Sequence, residues 1–350
     1  MQRCDFDLPF LLRYENVAWY ENGKVRILDR RVYPAEIRFV ECTSYRQVAQ
    51  AIADMVTQSA GPYTAAGMGM ALAAYEAKNK DLKTQLEFLK QASYDISNAR
   101  PTTSNRMSLI TESCFNTAEA ALRSGKDAVE AVFERTVDSL NRRYSTMEKV
   151  GEYLAALFPK EGTILTQCYG ETIVGMMLRA AKNKGNSIKI YCAETRPYLQ
   201  GARLTSSCCY EMGFDTTVIT DNMVAYAMKE KNIDVFTSAA DTIARDGHIA
   251  NKIGTFQIAI LAKNFGIPYF VTGIPDTDKW TVKDIVIEER DPAFVLSCGG
   301  TINTLKGVKG LYPSFDITPP HLISGVVTDK GVLTPYMLND YFHTEVHEYY

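Results

Sequence analysis

The stretch from residue 233 to residue 255, IDVFTSAADTIARDGHIANKIGT, decides the fold. It opens with a short apolar run, IDVF, which is typical of a buried strand. Small residues then lead to a single carboxylate, Asp241, and a polar loop leads to Asn251 and Lys252. We place these two residues at the start of an apolar helix over residues 253–265. Open α/β sheets bind ligands beyond the carboxyl ends of their strands, so Asp241 is a candidate functional residue.

Strand-like and helix-like segments alternate on both sides of this stretch. The predicted strands cover residues 163–166, 187–191, 216–219, 233–236 and 268–271. Helical patterns that end at Gly or Asn separate these strands. The alternation predicts an α/β fold with a doubly wound, Rossmann-like parallel sheet. A later extended run, residues 284–287, is consistent with one more strand.

The N-terminal part of the chain begins with a hairpin pattern. Extended runs at residues 17–20 and 24–28 flank the dipeptide Asn22-Gly23. Asn-Gly between two such runs is the strongest short-range hairpin signal, because both residues tolerate positive φ. A third extended run, residues 36–40, is consistent with another strand of the same sheet.

Helical periodicity follows this hairpin, from Ser44 to about residue 156. We place the domain boundary in the segment that comes next, FPKEG. The prediction is a smaller N-terminal domain of mixed β-hairpin and helices, residues 1–158, and a Rossmann-like domain, residues 159–350.

The composition excludes several classes of protein. A hydrophobic share of 46% with 23% charged residues is that of an ordinary soluble globular protein. A net charge of -3 without a basic cluster argues against a nucleic-acid partner. Neither a membrane-length apolar run nor an export signal is visible, so we expect a cytoplasmic protein that does not engage a membrane. The eight cysteines form no CxxC pair and the chain lacks GxGxxG, so neither a metal nor a dinucleotide cofactor is expected.

Polar side chains follow each predicted strand of the second domain. The candidates are Cys168, Tyr169 and Gly170 after the first strand, Glu194, Gln200 and Arg203 after the second, Asp221 after the third and Asp241 after the fourth. This set suits proton transfer on a small anionic substrate better than metal binding. Each residue also has a structural interpretation: the cysteine as a small buried apolar group, and the carboxylates as helix caps.

Five motifs together resemble the 5-methylthioribose-1-phosphate isomerase family. They are GTILTQC at 162–168, AETRPYLQGARLT at 193–205, ITDNM at 219–223, AADTIARDGHIANKIGT at 239–255 and FDITPPHLISG at 315–325. The likeness covers nearly the whole chain and extends to 5-deoxyribose-1-phosphate and ribose-1,5-bisphosphate isomerases. It also extends to the regulatory subunits of the translational guanine-nucleotide exchange factor, although QGARLT favours the isomerases.

The resemblance implies conversion of an aldose 1-phosphate to a ketose 1-phosphate in methionine salvage, without metal or organic cofactor, by a homodimer. Cys168 falls on the family's catalytic cysteine and Asp241 on its catalytic aspartate. The family's substrate contacts fall on further residues of this chain: Arg100, Gln200, Asn251, Lys252 and the positions of Gln58, Tyr169 and Gly170.

Isomerisation of an aldose phosphate can use a thiol and a carboxyl group as its base and acid. A hydrogen must move from carbon 2 to carbon 1 of the opened sugar, and if it moves as a proton, one base and one acid are needed. A thiolate at Cys168 could serve as the base, and a carboxyl group at Asp241, held neutral in an apolar pocket, as the acid. A direct hydride shift would give both residues other roles.

Two segments depart from the family pattern. The loop that usually reads like RGAPAIG is QSAGPYT here, so Gln58 stands where the family has a phosphate-binding arginine. The loop after the cysteine, normally resembling NxGxLAT, is YGETIVG, with a bulkier start and an acid, Glu171. These changes bear on the identity of the substrate more than on the class of reaction.

We therefore weigh three functions. The first is isomerisation of a 5-modified ribose 1-phosphate, by default 5-methylthioribose 1-phosphate, with 5-deoxyribose 1-phosphate or another pentose phosphate as the alternative. The second is a non-catalytic regulatory subunit that binds a nucleotide or sugar phosphate, which would have no need of Cys168 and Asp241. The third, a redox enzyme that uses the cysteines, lacks a cofactor motif.

Overall fold

A computed structural model describes residues 3–100 and 104–343 of the chain. These residues form two compact units, the first up to residue 145 and the second beyond it. The division falls within one long helix, Ala128–Ala155. The domain boundary that we expect at residue 158 stays a prediction.

The first unit contains a three-stranded antiparallel sheet. Its strands are β1 (Ala18–Glu21), β2 (Lys24–Leu28) and β3 (Phe39–Cys42), in the order β1-β2-β3. Glu21 pairs with Lys24, and the two residues between them have φ values of 50° at Asn22 and 77° at Gly23. The two-residue hairpin predicted from Asn-Gly is therefore confirmed.

Helices make up the rest of the first unit. They are α1 (Tyr14–Val17), α2 (Tyr45–Ala53), α3 (Gly61–Ala77), α4 (Leu82–Ser97), α5 (Ser104–Arg123) and α6 (Ala128–Ala155). α3 is buried on nearly every side, as an all-round apolar helix must be. Its glycines permit this packing: a Cβ at Gly67 would lie 2.6 Å from Thr136, and one at Gly69 would lie 2.9 Å from Val48.

The second unit contains the large sheet and the helices that cover it. Its strands are β4 (Glu161–Gln167), β5 (Ser187–Ala193), β6 (Asp215–Ile219), β7 (Val235–Ala239), β8 (Thr242–Ile243), β9 (Ile249–Lys252), β10 (Tyr269–Thr272), β11 (Ser297–Cys298), β12 (Thr301–Ile302), β13 (Phe315–Thr318), β14 (Gly325–Thr328) and β15 (Gly331–Leu333). Its helices are α7 (Glu171–Asn183), α8 (Ser206–Glu211), α9 (Val224–Glu230), α10 (Thr255–Phe265) and α11 (Ala293–Leu296). Gly201–Thr205 forms a π-helical turn before α8.

Seven of these strands form one sheet in the order β15-β14-β10-β7-β4-β5-β6, and only β15 runs antiparallel to its neighbour. The six parallel strands follow the 3-2-1-4-5-6 arrangement, with β4 first and β7 fourth. The predicted doubly wound sheet is confirmed. The order reverses between β4 and β7, and this reversal is where doubly wound sheets bind ligands.

A small antiparallel sheet, β13-β9-β8, corrects one sequence-based expectation. Asn251 and Lys252 end strand β9 instead of opening a helix, and α10 begins only at Thr255, after Gly254 with φ of 101°. Pairing of β9 with β13, more than 60 residues later, lies beyond what local periodicity can indicate. Residues 284–287 do not form the strand considered above.

The core of the second unit lies between the large sheet and its helices. Leu165 of β4, Phe236 of β7 and Val271 of β10 are fully buried with Ile258 of α10. The Phe236 and Tyr269 rings stack with centroids 4.3 Å apart. Burial of each such side chain stabilises the fold by about 1.5–3 kcal/mol, and together they hold the central strand ends in place. Within residues 3–100 and 104–343, none of the helices is long and apolar enough to cross a membrane.

Candidate active site

Cys168 and Asp241 lie at the two strand ends that flank the topological reversal. Cys168 directly follows β4, and Asp241 follows β7 by two residues. The two loops are in close contact, since a Cβ at Gly170 would lie 2.8 Å from the Cβ of Ala239. The fold therefore brings the thiol and the carboxyl group to one edge of the sheet.

The backbone of Cys168 is held in an unusual conformation. Its φ of 62° falls in the left-handed region, which costs a non-glycine residue about 1–3 kcal/mol. Two threonines offset this cost: the Cys168 N–H donates to Oγ1 of Thr195 at 2.9 Å, and the Thr205 hydroxyl donates to the Cys168 carbonyl. Both threonines are fully buried. They fix the direction in which the thiol leaves the strand.

Asp221 in turn holds the loop that carries Thr195. Its two carboxylate oxygens accept hydrogen bonds from the main-chain N–H groups of Thr195, at 2.9 Å, and Arg196, at 2.7 Å. Asp221 follows β6 and Thr195 follows β5, so a chain of hydrogen bonds links three neighbouring strand ends to Cys168. This carboxylate caps a loop and positions the site.

The environment of the Cys168 thiol keeps it protonated. Burial raises the pKa of this thiol to about 12, although the positive charge of Lys252 and the main-chain N–H of Tyr169 lower it. The carboxylates of Asp241 and Asp221 raise the pKa further. The thiol therefore lies within electrostatic range of both Lys252 and Asp241.

Asn251 and Lys252 are held beside β4 by a buried network. Oε1 of Gln167 accepts from Oγ1 of Thr255 at 3.0 Å and from Nδ2 of Asn251 at 3.5 Å. Nδ2 of Asn251 also donates to the Thr255 hydroxyl at 3.0 Å, and Nε2 of Gln167 donates to the carbonyl of Ile253 at 3.2 Å. All three polar side chains are buried. The network ties the end of β9 to the end of β4.

Lys252 is buried, with 6% of its surface exposed. Its Nζ lies 4.3 Å from the centre of the Phe315 ring, a cation–π contact. The neighbouring Asp316 accepts from the N–H groups of Gly254, at 2.7 Å, and Phe256, at 3.0 Å, and so caps α10. Burial raises the pKa of Asp316 to about 6, while those N–H groups and the Lys252 charge lower it.

Three other predicted residues of the second unit have contrasting surroundings. Asp241 is exposed, so its carboxyl group is not held in the apolar pocket that the sequence suggested. Tyr169 is buried. Gln200, 4% exposed, has a side-chain Oε1 without a hydrogen-bond partner among the described residues. It lies directly before the π-helical turn at the end of β5.

The remaining predicted residues belong to the first unit. Gln58 is buried, with its Oε1 unpaired among the described residues, and its carbonyl accepts from Nη1 of Arg30 at 2.6 Å. Arg30 is fully buried, so a guanidinium group contacts the loop that lacks the family's arginine. Arg100 is half-buried and ends the described stretch 3–100, and the residues that follow it in the ARPT motif lie outside the described residues.

Sequence reasoning missed the residues that position the site. All four lie inside the motifs quoted above: Thr195, Thr205, Gln167 and Asp316. Their place in these motifs was the one feature of the sequence that could have indicated a role in the site. Among residues 3–100 and 104–343, the structure contains no group of three or more His, Cys, Asp or Glu side chains that could hold a metal ion.

The fold and the site define a doubly wound α/β protein with a thiol, a carboxyl group and a buried lysine at its switch point. The chain belongs to the Initiation factor 2 subunit family, whose sequence profile matches residues 58–335.

Relatives of the chain include enzymes and translation factors. It is 34% identical over 333 residues to the methylthioribose-1-phosphate isomerase of Desulforamulus reducens, which covers 91% of this chain and 96% of that protein. The crystal structure of 5-methylthioribose 1-phosphate isomerase from Pyrococcus horikoshii OT3 superposes with a TM-score of 0.82 at 30% identity, covering 98% and 99% of the two chains. Translation initiation factor eIF-2B, subunit delta, from A. fulgidus gives a TM-score of 0.78 at 31% identity, covering 91% and 96%.

Proposed function

We propose that the protein is an aldose–ketose isomerase that converts 5-methylthioribose 1-phosphate to 5-methylthioribulose 1-phosphate. The observation that carries the proposal is that Cys168 and Asp241 follow the two strands of the switch point, with Lys252 at the end of β9 within electrostatic range of the thiol. Relatives that bear this activity in their names match more than nine-tenths of the chain. The reaction belongs to methionine salvage, which suits a cytoplasmic enzyme.

The protonation of Cys168 indicates which residue acts as the acid and which as the base. With its pKa raised to about 12, the Cys168 thiol carries its proton at neutral pH. A thiol in this state can donate a proton, whereas the exposed carboxylate of Asp241 can accept one. We therefore propose that Asp241 removes the proton from carbon 2 and that Cys168 delivers a proton to carbon 1 while the hydroxyl at carbon 2 releases its own proton and becomes the ketone. The proton released by that hydroxyl restores the thiol, and Asp241 returns its proton to solvent. These roles are the reverse of the assignment considered from the sequence.

Substrate recognition is proposed for the buried polar groups. Lys252 supplies a positive charge for the anionic substrate, and Asn251 and Gln200 supply amides for its hydroxyl groups. Arg100 is a further candidate for the phosphate. The loop at Gln58 lacks the family's arginine, so 5-deoxyribose 1-phosphate or another pentose phosphate is kept as the alternative substrate.

A regulatory subunit is the competing function, because a solved relative is an initiation factor subunit. Such a subunit would bind a nucleotide or sugar phosphate without turning it over. The constrained conformation of Cys168, held by Thr195 and Thr205, favours the enzyme, since a binding protein gains nothing from a thiol fixed at a cost in backbone energy.

Turnover is the direct test of the proposal. The purified protein should convert 5-methylthioribose 1-phosphate to the ketose phosphate, followed by NMR, and 5-deoxyribose 1-phosphate should be assayed in parallel. The substitutions Cys168→Ser and Asp241→Asn should each lower kcat by about 100-fold or more.

Matched controls are available for both substitutions. Cys298→Ser changes an exposed thiol and Asp215→Asn an exposed carboxylate, and both should leave turnover within about twofold of the wild type. If the protein turned over neither sugar phosphate, the result would favour the regulatory subunit. Full activity of Cys168→Ser would remove the thiol from the mechanism.

We also propose that the protein is a homodimer. Ile302 and Leu305 are 75% and 84% exposed, and a second copy could cover such apolar side chains. Analytical ultracentrifugation should give twice the chain mass, and a monomer at micromolar concentration would contradict the proposal.

A further inference from the structure

Tyr312 has a buried hydroxyl group that the protein does not satisfy. The residue is 3% exposed, and its hydroxyl has no hydrogen-bond partner among the described residues. A buried hydroxyl left in this state costs about 1–3 kcal/mol. A bound ligand that accepted its hydrogen bond would recover that cost.

The ring of Tyr312 lies next to the candidate active site. Its centroid is 6.2 Å from that of Tyr198, which lies in the AETRPYLQGARLT motif two residues before Gln200. The Tyr312 carbonyl accepts from the N–H of Arg290 at 2.9 Å, which anchors the residue from the other side. Three residues later the chain reaches Phe315, the ring under Lys252.

Burial keeps the phenol of Tyr312 protonated and therefore a hydrogen-bond donor. Burial raises the pKa of Tyr312 above its usual value, and the Tyr198, Cys168 and Glu288 groups raise it further, whereas Arg290 lowers it. The interaction with the Cys168 thiol puts the hydroxyl within electrostatic range of the reacting group. At neutral pH Tyr312 therefore offers an O–H donor.

We propose that Tyr312 is a further substrate-contacting residue and that its hydroxyl donates a hydrogen bond to an oxygen of the bound sugar phosphate. Gln200 offers the complementary group, because its buried Oε1 is an acceptor without a partner among the described residues. A donor and an acceptor in one site match a sugar hydroxyl, which both accepts and donates. The proposal rests on the proposed function.

Tyr312→Phe removes only the hydroxyl group, and Tyr269→Phe is its matched control. Tyr269 is fully buried, but its hydroxyl lies 2.7 Å from the Ser238 hydroxyl, in a hydrogen bond within the sheet. Tyr312→Phe should lower kcat/KM by about 10-fold while the thermal midpoint stays equal or rises. Tyr269→Phe should lower the midpoint and leave kcat/KM within about twofold of the wild type.

Two results would overturn the inference. One is a kcat/KM of Tyr312→Phe within about twofold of the wild type. The other is a loss of thermal midpoint as large as that of Tyr269→Phe, which would mean that the hydroxyl already bonds within the protein.

Wild-type turnover separates this inference from the proposed function. If the wild type does not turn over 5-methylthioribose 1-phosphate, binding is measured instead. The rise in thermal midpoint that this compound produces is then compared between the wild type and Tyr312→Phe. A smaller rise for Tyr312→Phe supports the contact in a binding protein. Equal rises, or no rise for the wild type, overturn it.

Discussion

The hydrogen bond from the Cys168 N–H to Thr195 makes a quantitative prediction for Thr195→Val. Valine has nearly the shape of threonine, so the fully buried position stays filled, but the acceptor at 2.9 Å is lost. A buried N–H left without a partner costs about 1–3 kcal/mol, and the free energy of unfolding should fall by that amount. The left-handed conformation of Cys168 also loses one of the two contacts that hold it.

Relaxation of Cys168 should affect catalysis more than binding. A misplacement of a reacting group by about 1 Å costs up to about 100-fold in rate, so we expect kcat of Thr195→Val to fall by about 10- to 100-fold. KM should stay within about threefold, because Lys252, Asn251 and Gln200 are unchanged. Turnover by NMR and unfolding in urea measure the two effects separately.

Thr237→Val is the matched control for this prediction. Thr237 is 2% exposed on β7, and its hydroxyl donates to the carbonyl of Phe270 at 2.9 Å, away from Cys168. It should cost stability while kcat stays within about twofold. An unchanged kcat for Thr195→Val, or a loss of activity only through KM, would show that Thr195 does not fix the thiol.

Three other predictions follow from the site. Lys252→Met should raise the pKa of the Cys168 thiol and Asp241→Asn should lower it, so peptide mapping should find alkylation of Cys168 by iodoacetamide slower in the first and faster in the second. Burial raises the pKa of Asp316 from 3.8 to about 6, so its contribution to the free energy of unfolding is complete below pH 3.8 and lost as the pH rises through about 6. Asp316→Asn should abolish that part of the pH dependence in urea titrations, and an unchanged profile would contradict it. Gly170→Ala should cost about 1–3 kcal/mol in urea unfolding, because its methyl group would overlap Ala239.

Local sequence patterns were sufficient for most of the fold. Alternation of strand and helix predicted the doubly wound sheet, and Asn22-Gly23 predicted the hairpin. Local patterns misplaced Asn251 and Lys252, whose strand forms only through pairing with residues 315–318. The sequence around residues 249–252 does not indicate that pairing, so the local pattern predicted a helix start at Asn251 and Lys252.

For the candidate site too, some properties follow from the sequence and others only from the tertiary structure. The sequence by itself determined which chemical groups stand at the strand ends. The residues that directly follow a predicted strand are known from the sequence, and in a parallel sheet they lie at the carboxyl end of that strand. Only the tertiary structure decided how these groups are held and surrounded. It supplied the two threonines that hold Cys168, the exposure of Asp241 and the burial that raises the pKa of the thiol. These properties depend on burial and on charges contributed by distant segments. Such effects act through space, and spacing along the chain does not encode them.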